Sequence, residues 1–178
     1  EEIYAGGGKD QAGAFIRYRS GKFESTPSKA MAGYNLSEET KGSLFDVDGD
    51  GDLDLYMATG GRFFPKTSSA LTDRIFINNG KGEFSESQYP LPFTEFLATS
   101  MASPIDFDKD GDLDLLVGER FDPFSYGMDG GAFLLENNGK GLFKDVTKEH
   151  APALLDAGMV TSGVVVDFNN DGWSDILI

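Results

Sequence analysis

The chain contains no cysteine. Disulfide staples, thiolate nucleophiles and Cys-based zinc sites are therefore excluded. Histidine is represented once, by His150 beside Ala151-Pro152, which reads as a loop residue rather than a general base. No Ser–His–Asp set stands out from the scattered polar residues. Lys and Arg total 15 against 30 Asp and Glu, a net charge of −15. The clustered basic side chains that neutralise phosphates are missing, so nucleic acid is not an expected partner. No apolar run approaches the length of a membrane span. Lack of cysteine does not place the chain inside a cell, because a core of this size needs no staples. The sequence opens on Glu1 and closes on Asp175-Ile176-Leu177-Ile178, inside an apolar strand pattern. Both ends read as cut from a longer protein, so a missing signal peptide carries no weight.

What is present is ordered by a repeat. Three Asp-rich loops read DVDGDGDLDL from Asp46, DFDKDGDLDL from Asp106 and DFNNDGWSDI from Asp167, with starts 60 and 61 residues apart. Thirteen of the 30 acidic residues lie in them, and three bound divalent cations would bring the charge from −15 to −9. The acidity is thus largely a property of these loops.

An apolar stretch leads into each loop: Gly42 to Phe45, Ala102 to Ile105 and Gly163 to Val166. A second leaves it: Leu53 to Ala58, Leu113 to Gly118 and Ile176 to Ile178. After a variable connection comes a third, Arg74 to Ile77 or Ala132 to Leu135. It ends in Asn78-Asn79-Gly80-Lys81-Gly82 or Asn137-Asn138-Gly139-Lys140-Gly141, and a fourth begins at Phe84 or Phe143. Residues 2–8, 14–18 and 21–23 fit the second, third and fourth stretches of an earlier unit. Short runs rich in Phe, Ile, Leu, Val and Tyr, bounded by Gly, Asn and Asp, read as strands. Asn-Gly is the signal of a two-residue hairpin.

Four antiparallel strands on this period describe a propeller blade. A β-sandwich with repeated hairpins is the alternative, but it does not account for a loop that recurs with the whole unit. The fold class expected is all-β, with about three blade-equivalents of a larger propeller. A partial blade spans residues 1–41, full blades 42–101 and 102–161, and the start of another 162–178. A three-blade arc leaves two unpaired edges that invite association, so the remaining blades of the parent are expected neighbours, and self-assembly is the second possibility. Residues 149–157 read as one short helical turn.

Positions one, three, five and nine of each loop carry side-chain oxygens: Asp46, Asp48, Asp50, Asp54; Asp106, Asp108, Asp110, Asp114; Asp167, Asn169, Asp171, Asp175. Position seven, Asp52, Asp112 or Trp173, can offer its backbone carbonyl. Position six is Gly in all three, Gly51, Gly111 and Gly172, where a sharp turn needs positive φ. Hard oxygen donors in this number select Ca²⁺ at up to three sites. An EF-hand would need a bidentate Glu at position twelve, and Met57, Val117 or Ile178 stands there instead; dockerin-type pairs fail on the same mismatch. Asp-Gly turns without metal would not require four converging carboxylates three times over. The third loop, with Asn169 and Trp173, is expected to bind more weakly.

These loops, together with Asn-Asn-Gly-Lys-Gly-x-Phe, resemble the FG-GAP/VCBS repeat family of integrin α-subunit propellers and secreted bacterial proteins. Residues 143–147 and 158–162 are similar to the bacterial branch often joined to an ASPIC/UnbV module. No literal Phe-Gly…Gly-Ala-Pro is present, which departs from the integrin-type subset. The resemblance implies a Ca²⁺-stabilised propeller, extracellular, at the cell surface or periplasmic, with the twelve side chains above as ligands. It does not imply one activity.

The long connections, residues 60–73, 89–99, 119–131 and 147–161, are expected on the face opposite the Asp loops, where length and variety favour binding. Arg62-Phe63-Phe64 and residues 120–126 (RFDPFSY) could anchor a protein or glycan there, or could pack between blades. The leading function is a Ca²⁺-dependent adhesion or interaction module. The alternative is the scaffold of a secreted polysaccharide lyase or another carbohydrate-active enzyme. A purely architectural role is a third reading.

Overall fold

The computed structural model describes residues 2–61, 64–65, 68–93, 96–122, 124–125, 128 and 130–178. Among the described residues, thirteen strands are arranged in four antiparallel sheets. The first sheet holds β1 (Glu2–Ala5), β2 (Ala14–Arg19) and β3 (Lys22–Pro27). The second holds β4 (Glu38–Phe45), β5 (Asp54–Gly60), β6 (Arg74–Asn78) and β7 (Phe84–Glu86). The third repeats it with β8 (Thr99–Ile105), β9 (Asp114–Glu119), β10 (Ala132–Asn137) and β11 (Phe143–Asp145). The fourth pairs β12 (Val164–Val166) with β13 (Asp175–Leu177). Strand order follows chain order in every sheet, so each is a meander. The chain is all-β and its four-stranded sheets are propeller-like blades. Among the described residues, no helix is long and apolar enough to cross a membrane.

Alternation explains how the blades stack. Successive side chains of a strand point to opposite faces of its sheet. In β5, Leu55 and Met57 face the first sheet, in a cluster with Phe15, Met31 and Phe76. Tyr56 and Ala58 face the third sheet, in a cluster with Leu115, Val117, Leu135 and Phe143. β9 repeats the division: Leu116 turns toward Val160, Val165 and Ile176. Both faces of each middle blade are covered, so β5 and β9 are buried from end to end. This is why these strands read as continuous apolar runs rather than as alternating ones.

Hydroxyl groups cross the seams. Thr40 Oγ1 donates to the Thr99 carbonyl at 2.5 Å and Ser43 Oγ to the Ala102 carbonyl at 2.5 Å. Ser100 Oγ donates to the Val160 carbonyl. The Thr40 and Ser100 bonds are the same contact translated by one blade.

Three local features differ from the sequence expectation. β4 begins at Glu38 rather than Gly42 and carries a bulge between Glu39 and Lys41. The Asn-Gly segments are not two-residue hairpins. Pairing closes at Asn78↔Phe84 and Asn137↔Phe143, which leaves five residues in each loop. A second positive-φ glycine, Gly82 or Gly141, lengthens the turn, and the Asn78 or Asn137 side chain accepts its N–H at 3.1 Å. The helical segment comprises α1 (Thr147–His150) followed by a 3-10 turn over Pro152–Asp156, and Ala151, Leu154 and Ala157 pack on the third sheet.

Candidate metal centres

Each Asp loop joins the first strand of its sheet to the second. Its backbone is bent at two points. Position six takes positive φ, 92° at Gly51, 96° at Gly111 and 85° at Gly172, as expected. Position four does so as well, 76° at Gly49, 63° at Lys109 and 60° at Asn170. Two left-handed residues coil the chain so that its early side chains and its amides turn inward together.

In the first loop Asp46 accepts from Gly49 N at 2.8 Å and Gly51 N at 3.0 Å. Asp50 accepts from Asp52 N at 2.9 Å. One oxygen each of Asp46, Asp48 and Asp50 lie within 4.8 Å of one another. In the second loop Asp110 accepts the matching bond from Asp112 N at 2.9 Å, and Asp108 accepts from Asp110 N at 3.2 Å. There the converging trio is Asp106, Asp108 and Asp114. The structure thus gathers Asp46, Asp48 and Asp50 in one loop and Asp106, Asp108 and Asp114 in the next. Among the described residues it gathers no such acidic trio in the third loop, which holds Asp167, Asn169, Asp171, Trp173 and Asp175.

Position nine has a second task. Asp54 is fully buried; its Oδ2 accepts from Val47 N at 2.8 Å and its Oδ1 from Asn78 N at 2.7 Å. Asp114 repeats this with Phe107 N at 3.2 Å and Asn137 N at 2.8 Å, and Asp175 accepts from Phe168 N at 2.9 Å. This carboxylate ties the start of the loop to the end of the third strand. Burial pushes both Asp54 and Asp114 up to about 6, against the pull of the two backbone N–H groups on each. Position seven lies at the Asn-Gly turn: a side chain on Gly80 would strike Asp52, and one on Gly139 would strike Asp112. The Asp loops and Asn-Gly turns therefore share one face. Asn137 Nδ2 crosses to the preceding blade and donates to the Val47 carbonyl at 2.8 Å.

The oxygens left over indicate what is needed. Asp48 Oδ1 and Asp106 Oδ1 are buried and accept no hydrogen bond. Burial, and then the neighbouring Asp50 charge, raises the Asp48 carboxyl above its ordinary range. Two carboxylates about 4 Å apart repel by roughly 4 kcal/mol at an effective dielectric near 20. A buried anionic oxygen without a donor, beside two further carboxylates, is the donor set of a hard divalent cation. The first two loops fit such an ion, with Asp46, Asp48 and Asp50, and Asp106, Asp108 and Asp114, as the residues that would hold it. A bound ion would supply charge neutralisation and would cross-link the loop.

The opposite face carries the long connections. A cleft of about 350 Å³ lies there between β6, β7 and the connection to β8, lined among others by Arg74, Glu86, Tyr89, Phe93 and Phe96. Arg74 is held by the Thr72 and Ser69 carbonyls, stands 4.4 Å over the Tyr34 ring and pairs with Glu86 at 3.5 Å. Of the anchor segments expected from sequence, Arg62, Phe63, Pro123 and Tyr126 lie outside the described residues. His150 is exposed at the end of α1, its ring 5.3 Å from Phe107.

Sequence reasoning gave no role to Asp73. It is buried and accepts from Tyr56 Oη at 2.6 Å, Thr59 N at 2.6 Å, Thr59 Oγ1 at 3.2 Å and Thr99 Oγ1 at 2.6 Å. Its counterpart one blade later is Ala132, so the repeat offered no signal.

Blades in which a short Asp loop closes the inner hairpin define a propeller-type repeat protein with acidic, cation-suited loops. Within that class, the sequence profile of the FG-GAP-like repeat matches residues 46–117 and 120–178. The chain belongs to the FG-GAP-like repeat family. Comparison with curated proteins gives no match.

Proposed function

We propose that the chain is a Ca²⁺-binding extracellular propeller module that mediates adhesion or the recognition of a protein or glycan, with Ca²⁺ in a structural role. The observation that carries the calcium reading is the pair of buried, donor-free oxygens, Asp48 Oδ1 and Asp106 Oδ1, each beside two other carboxylates. A monovalent ion would leave most of that charge uncompensated, and soft metals prefer sulfur or imidazole, which these loops lack. Ca²⁺ at the loops fixes the junction between the first and second strands of a blade. The Asn137 bond to Val47 then passes that order to the adjoining blade.

The long-loop face supports the recognition reading. It carries the cleft that includes Arg74, Glu86 and three aromatic rings, the mix of apolar surface and fixed polar groups typical of ligand sites. The same cleft is what a carbohydrate-active scaffold would display, so a secreted polysaccharide lyase platform is the second reading. No nucleic-acid partner is proposed, in keeping with the charge of −15.

The test is thermal unfolding of the chain in excess Ca²⁺ and in EDTA, with calorimetric titration of the metal-free protein. The expected result is a higher melting temperature in Ca²⁺ that EDTA reverses. Equal melting temperatures would refute the structural role of the ion. Glycan-array binding without turnover would favour the recognition module, and turnover of a uronic-acid polymer would favour the enzyme scaffold.

A further inference from the structure

A carboxylate crosses the first seam from one sheet to the other. Glu39, in β4 of the second sheet, reaches back to the first. Its Oε2 accepts from Tyr4 Oη at 2.6 Å and from Gly7 N at 2.9 Å. Its own backbone N–H donates to the Gly7 carbonyl at 3.0 Å. Gly7 lies in the connection from β1 to β2, the counterpart of the connection from β5 to β6 on the long-loop face. Glu39 therefore holds that connection by side chain and main chain together.

The donors are those of the Asp73 joint, translated by one blade. Tyr4 pairs with Phe15 and Tyr56 with Ile75, each partner being the second residue of its strand. Gly7 follows Tyr4 by three residues, as Thr59 follows Tyr56, and each supplies its amide. The place of Asp73, directly before β6, is taken in the first sheet by Gly13, directly before β2. A side chain on Gly13 would strike both Tyr4 Oη and Glu39 Oε2. The Glu39 carboxylate thus occupies the space that a residue of the first sheet would otherwise fill. At the second seam the counterpart of Glu39 is Thr99, which gives its hydroxyl to Asp73. Gly7 has no hydroxyl to match that of Thr59, and Glu39 Oε1 is left buried without a donor.

We propose that Glu39 is an interblade latch. The carboxylate that ties the Tyr56 hydroxyl and the Thr59 amide comes from their own sheet, whereas the one that ties Tyr4 and Gly7 comes from the neighbouring sheet. The β1–β2 connection is therefore held only while the second sheet is docked. Opening of the first seam and release of Gly7 are one event. At the second seam Asp73 keeps Tyr56 and Thr59 when Thr99 departs, so opening there frees neither. One segment of the long-loop face is thus ordered by a seam, and neither the calcium reading nor the recognition reading is needed for this.

Amide hydrogen exchange on the whole chain, read residue by residue by NMR, tests it. In the wild type at low urea, the Gly7 and Glu39 amides should share one opening free energy and one urea dependence, as members of a single cooperative unit. Glu39→Ala should speed exchange at Gly7 by about tenfold or more, the change expected for a lost hydrogen bond to a charged group. Thr99→Val, the matching change at the second seam, should leave the Thr59 amide near its wild-type rate. Separate openings for Gly7 and Glu39, unchanged exchange at Gly7 in Glu39→Ala, or a Thr59 amide released by Thr99→Val as strongly as Gly7 is by Glu39→Ala would each overturn the proposal. If the alanine variant does not fold, the wild-type comparison of Gly7 with Glu39 decides alone.

Discussion

Thr99, the first residue of the third sheet, donates its hydroxyl at 2.6 Å to Asp73, which immediately precedes β6 of the second. Asp73 also takes the Tyr56 hydroxyl and the Thr59 amide. Burial raises its carboxyl above the ordinary range, and the donors partly restore it. With the Thr59 hydroxyl at 3.2 Å, four donors around one buried carboxyl make this a joint between blades at the end of β5 that faces away from the Asp loops.

Asp73→Ala should therefore be among the most costly substitutions in the chain. It strands the Tyr56 and Thr99 hydroxyls and the Thr59 amide in a buried seam. Each unsatisfied group costs about 1–3 kcal/mol, so a loss of about 3 kcal/mol or more is expected in urea unfolding. A loss below 1 kcal/mol would show that water reaches the seam.

The translated hydroxyl contacts give a milder expectation. Thr40→Val and Ser100→Ala each remove one bond to a carbonyl of the next blade. About 1 kcal/mol per bond is expected. The two bonds belong to different seams but meet at the Thr99–Ser100 peptide, so the double variant should depart from the sum of the singles. Strict additivity in the unfolding midpoints would mean that the two seams act independently.

The strand ladder was legible in the sequence because its signal is periodic. The same four apolar stretches return with the Asp loop, and strands appear at each. The loop conformation was legible only where glycine announced it, at Gly51, Gly111 and Gly172. Position four was not foreseen, since Lys109 takes positive φ with no compositional sign of it. The Asn-Gly hairpins were misjudged for a related reason. Two glycines spaced by one residue, Gly80 and Gly82, accommodate two left-handed turns, and the side chain of Asn78 stabilises the longer loop. The Asp73 and Glu39 carboxylates make long-range bonds, and neither recurs at its own repeat position, so no repeat could reveal them.

In the first loop positions three and nine both looked like ligands, yet the structure separates them. Asp48 has an oxygen with no donor, whereas both oxygens of Asp54 accept backbone N–H groups. Asp48→Asn should lower Ca²⁺ affinity and leave stability in EDTA unchanged or improved, because it relieves a buried unpaired charge. Asp54→Ala should destabilise the chain in EDTA too, by about 2 kcal/mol for the two stranded amides. Melting curves of both variants with and without Ca²⁺ check this. Equal losses in EDTA would make the two positions equivalent.

The same carboxylates set the pH response of the metal-free chain. Folding raises Asp54 and Asp114 to about 6 through burial, from an unfolded value near 4. A group whose pKa is raised on folding binds protons more readily in the folded state. Its stabilising contribution is full below the unfolded pKa and is lost as pH rises through about 6. In EDTA the melting temperature should therefore fall between pH 4 and pH 7 on account of these two groups. Bound Ca²⁺ favours the ionised carboxylates, because ligands must be deprotonated to hold a metal. In excess Ca²⁺ the trend should flatten or reverse, and the apparent Ca²⁺ affinity should weaken as pH drops below about 6. Parallel melting series at pH 4, 5, 6 and 7, with Ca²⁺ and with EDTA, decide the matter. Superimposable series would show that neither Asp54 nor Asp114 senses the ion, and the metal would then have to be held without position nine.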